Sequence, residues 1–307
     1  MSQNFLYKVV LITVSLLLIM LLLQNQLGPG SVTRKYWIKE NHHDEKLAFS
    51  DIFNSSSEQN LIDPKTILQT ISFMIQETDE FDSNLINFVR SLIHKPSGKK
   101  LNLDNPDKKD FSQIGQSHYM DSLLGKVSNG FFIEAGGYNG EYLSNTLFFE
   151  LVRKWTGILI EPIPSLHSSI LSKNRNIYSI NACIAKKHPI VSKFIIASDS
   201  ALSGRLNQMS QRHSNQFDII YVPCFSINTI LKAIDVKKVD YFSLDVEGGE
   251  WDVLSNLDLN NIDFRSFSIE HNGETERRNK MRDYLIKNNY KITKMDRQDL
   301  YSIKINS

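Results

Sequence analysis

The chain has 307 residues, a formal net charge of +1 and 41% hydrophobic content. That length and apolar share allow one sizeable domain plus an appendage. A balanced charge, with no basic stripe interleaved with aromatics, argues against nucleic acid as a partner, and two cysteines exclude a disulfide scaffold and a C-x-x-C metal cluster.

From Phe5 to Leu23 the chain is apolar except for Lys8, Thr13 and Ser15. About 19 helical residues at roughly 1.5 Å each span ~28 Å, near the hydrocarbon thickness of a bilayer. Lys8 lies near one end, where it can snorkel to the interface. The alternative is a cleaved signal peptide. Against it, the apolar core is long and no small-x-small site precedes Gln24. Residues 1–30 therefore read as a cytoplasmic tail and signal-anchor helix. A large carboxy-terminal domain translocates regardless of the short-range balance of Lys8 against Arg34, Lys35 and Lys39. The expected topology is type II, with the domain lumenal or extracellular, in the endoplasmic reticulum, Golgi or endosome. Asn54-Ser55-Ser56 is a glycosylation acceptor usable in that orientation.

Residues 31–81 read as a stem with one short helix. Its polar start is a linker. Asp63-Pro64 then offers a cap and a first-position proline before Ile67, Leu68, Ile71 and Ile75 at helical spacing. A second amphipathic run, Leu85 to Ile93, follows Asp82-Ser83 and stops at Pro96-Ser97-Gly98. Such short helices need a larger body to pack on. After a polar stretch, a third helix is expected from His118 to Gly125, with His118 as a surface residue.

Phe131, Phe132 and Ile133 form the kind of short apolar run that makes a buried central strand. The run ends at Glu134, and Gly136, Gly137 and Gly140 follow. Tyr142, Leu143, Leu147, Phe148 and Leu151 then suggest a helix. Strand, glycine turn and helix make the first unit of a doubly wound fold. The glycines are out of register for G-x-G-x-x-G. An acid closing the strand before a loose glycine loop is the S-adenosylmethionine variant; the competing reading is a tight turn with no ligand. Trp155 to Ile160 is a second buried strand ending in Glu161, about 27 residues on, where such folds place the acid that takes a ribose diol.

The alternation continues. Ile177 to Ile184 reads as a third core strand, Ile190 to Ala197 and Ile219 to Pro223 as extra strands, and Ile227 to Ile234 as a helix. Val239 to Leu244 is a fourth core strand ending at Asp245, with a helix from Glu250. Phe264 to Ile269 is a fifth, ending at Glu270-His271. Thr275 to Asn288 is a helix, and Tyr290 to Met295 with Leu300 to Ile305 a closing hairpin. Strands alternating with helices mean a mostly parallel sheet whose carboxyl ends carry the ligand crevice. Those ends offer Glu134, Glu161, Asp245, Glu247, Glu270 and His271. Carboxylates gathered there repel each other unless a cation or a neutral donor separates them, and a ligand with a sulfonium, an ammonium and a diol fits. Asp245-Val-Glu-Gly-Gly-Glu250 reads equally as a helix cap or as catalytic residues. His271 reads as a general base or as a structural strand-end residue.

These motifs together resemble a known family. Ile133 to Glu141, Ile160-Glu-Pro-Ile-Pro164, Leu244 to Glu250 and Ile269-Glu-His271 are similar to the FkbM-type methyltransferase domain, over residues 82–307. The resemblance implies S-adenosylmethionine-dependent O-methylation on a Rossmann-like, mostly parallel seven-stranded sheet whose last strand is antiparallel. It places Glu134, Gly136, Gly137 and Gly140 in the cofactor loop, Glu161 on the ribose, and Asp245 and Glu247 on the substrate side. One departure stands out: many members carry Lys where this chain has Ser243, and losing that cation alters the pKa of the acids beside it. Ser112 to Gln116, Leu143-Ser-Asn-Thr146, Phe149-Glu150, Trp155-Thr-Gly157, Asn174-Arg175 and Ser243 to Gly248 further resemble the animal Star-like branch. That branch implies a type II membrane protein that helps membrane-bound growth-factor precursors leave the endoplasmic reticulum for the Golgi.

Two functions follow. One is a membrane-anchored O-methyltransferase acting on a hydroxyl of a glycan or lipid. The other is a trafficking module that binds a membrane-bound cargo protein and keeps the fold without turnover. A nicotinamide enzyme is disfavoured by the glycine spacing. In an oxidising compartment Cys183 and Cys224 are expected to pair; the alternative is two buried thiols.

Overall fold

A computed structural model describes residues 62–197, 204–205 and 217–305, all within one compact unit, Ser55–Ser307. The expected anchor, the polar linker and Asn54 lie outside the described residues. Among the described residues no helix is long and apolar enough to cross a membrane.

The helices are α1 (Pro64–Ile75), α2 (Ser83–Leu92), α3 (Gln116–Leu123), α4 (Leu147–Arg153), α5 (Pro164–Ser172), α6 (Ile227–Ala233), α7 (Glu250–Leu254) and α8 (Thr275–Lys287). The strands are β1 (Phe131–Ala135), β2 (Thr156–Ile160), β3 (Tyr178–Ile180), β4 (Cys183–Ile184), β5 (Ile190–Ala197), β6 (Gly204–Arg205), β7 (Phe217–Phe225), β8 (Lys238–Val239), β9 (Tyr241–Leu244), β10 (Asp263–Phe264), β11 (Ser266–Glu270), β12 (Tyr290–Met295) and β13 (Asp299–Lys304).

The main sheet has seven strands in the order β12-β13-β11-β9-β1-β2-β3. The pairs from β11 to β3 are parallel. β13 runs antiparallel to both of its neighbours. The seven-stranded sheet is therefore a mixed one, with the last strand antiparallel as the resemblance implies. Alternation sorts the core onto two faces. Phe132, Leu159 and Tyr241 join Phe149 and Trp155 on one face. Ile133, Ile158 and Phe242 join Phe267 and Leu285 on the other. Gly157 is required here, because a Cβ would run into the Phe132 ring.

Three expectations change. Ile177 to Ile184 is not one strand: it breaks at Asn181, whose Nδ2 donates to Glu161 O and Pro162 O, so β3 and β4 join different sheets. The extra strands β5 and β7 belong to a separate four-stranded sheet, β4-β7-β5-β6, and not to the main one. The helix expected from Tyr142 begins only at Leu147. Leu143 has φ 59°, outside the helical region, and Glu134 takes the backbone N–H of Asn145.

The caps at Asp63 and Asp82 form as the local sequence indicates: Asp63 accepts from Lys65 N, and Asp82 from Asn84 N and Leu85 N. Cys183 and Cys224 face each other in the parallel β4–β7 register and are joined as a disulfide, with Cα atoms 4.3 Å apart.

Candidate functional site

β1 and β2 end level, Ala135 beside Ile160. The chain then turns sharply, and the N–H groups of Gly136 and Gly137 both donate to Ile160 O, at 3.1 and 3.3 Å. Gly136 has φ +84°, and a Cβ there would collide with the backbone oxygen of Asp245. Only glycine lets the end of β9 pass so close. Beyond the turn, Tyr138 N donates to Glu161 Oε2 at 2.9 Å, and Ile163 N donates to Oε1 at 2.8 Å. The Glu161 carboxylate thus ties the glycine loop to the residues after β2. It is 4% exposed. Burial, only partly offset by the two amides, pushes its pKa up to about 8.

Glu134, Gly136, Gly137 and Glu161 line one cavity, together with Asp245 and Glu247. Glu134 is also tied into its own loop. Its carboxylate accepts from Ser144 Oγ at 2.9 Å, from Asn145 N at 2.6 Å and from Thr146 Oγ1 at 2.5 Å. It therefore holds its own loop, with both oxygens accepting from it. Gly140 stands off the cavity. It has φ +80°, a Cβ there would press on Ile170, and its carbonyl accepts from Arg175. Its role is in the loop's shape.

On the other flank, Ser243 and Leu244 of β9 are level with Ser268 and Ile269 of β11, so Asp245 and Glu270 emerge side by side. Asp245, Glu247 and Glu270 each place an oxygen within 4.8 Å of the others. Burial raises all three pKa values, Glu247 to about 8; repulsion from Asp245 adds to it at Glu247 and Glu270, while a hydrogen bond with Glu270 partly offsets it at Asp245. Glu250 takes the capping role within this acidic turn. Its Oε1 accepts from Val246 N and Gly248 N at 3.0 Å, and its Oε2 meets Arg277 at 3.3 Å. Asp245 and Glu247 are left facing the cavity.

His271 does not line the cavity; it is fully buried, and its Nδ1 accepts from Gly273 N at 3.1 Å. Burial and, after it, the charge of Arg278 lower its pKa. Its Nδ1 shapes a turn away from that cavity.

Sequence reasoning gave no role to Arg175, Ser144, Asn145 or Thr146. The one signal was that Leu143 to Thr146 and Asn174-Arg175 fall in the motifs of the resemblance. Arg175 is 4% exposed. It donates to Glu150 Oε2 at 2.8 Å and Gly140 O at 2.9 Å, and lies 3.8 Å from Glu134.

A pH dependence follows from Glu161. A ligand that donates to the ionised carboxylate must displace the proton that burial keeps there. The affinity of an adenosyl ligand whose ribose diol does so is expected to rise with pH through about 8. S-adenosylhomocysteine is expected to bind about fivefold more weakly at pH 7 than at pH 8. Titration calorimetry at the two pH values measures this, and a flat affinity refutes it.

Residues 134–292 match the family model described as the methyltransferase FkbM domain, more than half of the chain. No curated protein matches. Among solved structures, the N-terminal domain of human METTL16 is 12% identical, covering 82% of this chain and 99% of that one at a TM-score of 0.40. The human methyltransferase 10 domain containing protein is 12% identical, covering 66% and 88% at 0.35. M. capricolum TrmK, in complex with S-adenosyl-homocysteine, is 10% identical, covering 63% and 68% at 0.33. Overlaps this low carry no weight for activity. The family match does, and its cofactor is S-adenosylmethionine. The chain belongs to the FkbM methyltransferase domain family.

Proposed function

We propose that this protein is a membrane-anchored, S-adenosylmethionine-dependent O-methyltransferase whose acceptor is a hydroxyl. The observation that carries this reading is the placement of Glu161: both of its oxygens are fixed by loop amides, and it shares a cavity with the glycine turn and with Asp245 and Glu247. The residues fit the cofactor. The close passage at Gly136 leaves backbone, not side chain, at the centre of the cradle, and Asn145 Oδ1 is a buried acceptor with no partner among the described residues.

When bound, S-adenosylmethionine supplies an electrophilic methyl group on a sulfonium. Glu161 accepts from the ribose diol. Asp245 and Glu247, with their pKa values raised toward neutrality, are suited to take the proton from an acceptor hydroxyl. Positioning supplies most of the remaining rate. The acidic wall disfavours carboxylate and phosphate acceptors and suits a neutral hydroxyl, as on a glycan or lipid. The apolar run Phe5–Leu23 supports the anchor, and Asn54 the lumenal side.

A Star-like trafficking role is the second reading. Ser243 favours it, since it leaves the acids without the cation that many family members place beside them. Transfer of a radiolabelled methyl group from S-adenosylmethionine to neutral glycans or lipids from the same cells tests the first reading. Cofactor binding without any transfer to them favours the second. Digestion with an N-glycosidase is expected to increase gel mobility, and unchanged mobility counts against a lumenal domain.

A further inference from the structure

Asn145 stands where the glycine loop meets α4. Its backbone N–H donates to Glu134 Oε1 at 2.6 Å, and its side-chain Nδ2 donates to Ser243 Oγ at 3.0 Å. Its Oδ1 is buried with no partner among the described residues. Glu134, Asn145 and Ser243 all line the cavity. A buried amide oxygen without a donor is costly and rare in native proteins. Exchanging the two amide atoms does not remove the problem. The hydroxyl of Ser243 serves either atom, so an unpaired donor would simply take the place of the unpaired acceptor. The unpaired atom is therefore a property of the residue and its place in the fold.

The surroundings say what fills it. Asn145 reaches Ser243, on the β9 side of β1, whereas Glu161 follows β2 on the opposite side. The two residues thus address different ends of one ligand. The cavity wall beyond Asn145 carries Asp245 and Glu247. Lys186, which also lines it, is paired with Asp252 at 3.2 Å. Such a wall repels anions and attracts a cation that brings N–H donors. The cofactor has one group of that kind away from its ribose, the α-ammonium of its methionine arm.

We infer that Asn145 Oδ1 accepts a hydrogen bond from the α-ammonium of S-adenosylmethionine, and that Glu134 serves cofactor binding by holding Asn145 in place. This deepens the proposed cofactor reading and depends on it. It also gives the Ser-Asn-Thr motif a physical role. Ser144 and Thr146 are ligands of Glu134, and the residue between them brings an unpaired amide oxygen to the cavity wall.

The test compares two ligands by titration calorimetry on the full chain. S-adenosylhomocysteine carries the amino-acid arm. 5′-Methylthioadenosine keeps the adenosine and the thioether and lacks that arm. Asn145→Ala is expected to weaken S-adenosylhomocysteine about tenfold and leave 5′-methylthioadenosine within twofold, since one charge-assisted hydrogen bond is lost. Retained 5′-methylthioadenosine binding also shows that the cradle is folded. Asn145→Asp, which keeps an acceptor oxygen, is expected to hold S-adenosylhomocysteine within about threefold of the unaltered protein. Equal losses for both ligands, or no loss for either, overturn the assignment. An unaltered protein that binds neither ligand overturns the cofactor reading and, with it, this inference.

Discussion

Glu161→Ala is expected to weaken S-adenosylhomocysteine by about 100-fold. The carboxylate offers two acceptor oxygens to a vicinal diol, and charge-assisted hydrogen bonds contribute roughly 1.5–3 kcal/mol each. The substitution also frees Tyr138 N and Ile163 N, which the carboxylate now holds, so the glycine loop loses its fixed shape. Stability should respond much less than affinity. The raised pKa of Glu161 means that burying its charge opposes folding, and an alanine removes that cost along with the two amide bonds. The expected pattern is thus a large loss of binding with a melting temperature within a few degrees. Titration calorimetry and thermal unfolding on the same sample measure both. Affinity within threefold of the unaltered protein would remove Glu161 from the site.

Much of the cradle was legible because its signals are local. The Phe131–Ile133 run, the acid at its end and the glycines after it are adjacent in the chain, and so are Ile160 and Glu161. Asp63 and Asp82 cap helices by bonding residues two or three positions on, which is also a local matter. The misreadings share a different cause. A two-residue alternation marks β5 and β7 as strands but does not say which sheet they join. Tyr142, Leu143 and Leu147 have helical spacing, yet Leu143 takes a positive φ and Glu134, well upstream, accepts the N–H of Asn145. Asn181 breaks a strand because its amide bonds to Glu161 O, across from another segment. His271 has the chemistry of a base but stands away from the cavity, which only packing reveals. Arg175 reads as a charged residue in a turn after α5, and nothing beside it in the chain announces that it will be buried.

Arg175→Ala is expected to destabilise the domain by roughly 3–5 kcal/mol, the usual cost of removing one partner from a buried ion pair. The argument concerns what is left behind. Glu134 and Glu150 are both buried, and Arg175 is the cation between them, 3.8 Å from one and 2.8 Å from the other. Its Nη1 also donates to Gly140 O and Ser144 Oγ, and its Nη2 to Thr146 Oγ1. The guanidinium therefore satisfies the glycine loop, the start of α4 and two carboxylates at once. Lysine cannot replace it, since a point charge does not reproduce that fork; Arg175→Lys should recover only part of the loss. For a domain of this size the alanine variant should melt roughly 10 °C lower. Because Glu134 holds Asn145 in place, adenosyl ligands with the amino-acid arm should weaken more than those without it. A melting temperature within 2 °C of the unaltered protein would mean that the two carboxylates find protons or water instead, and that the network shapes the loop without holding the fold.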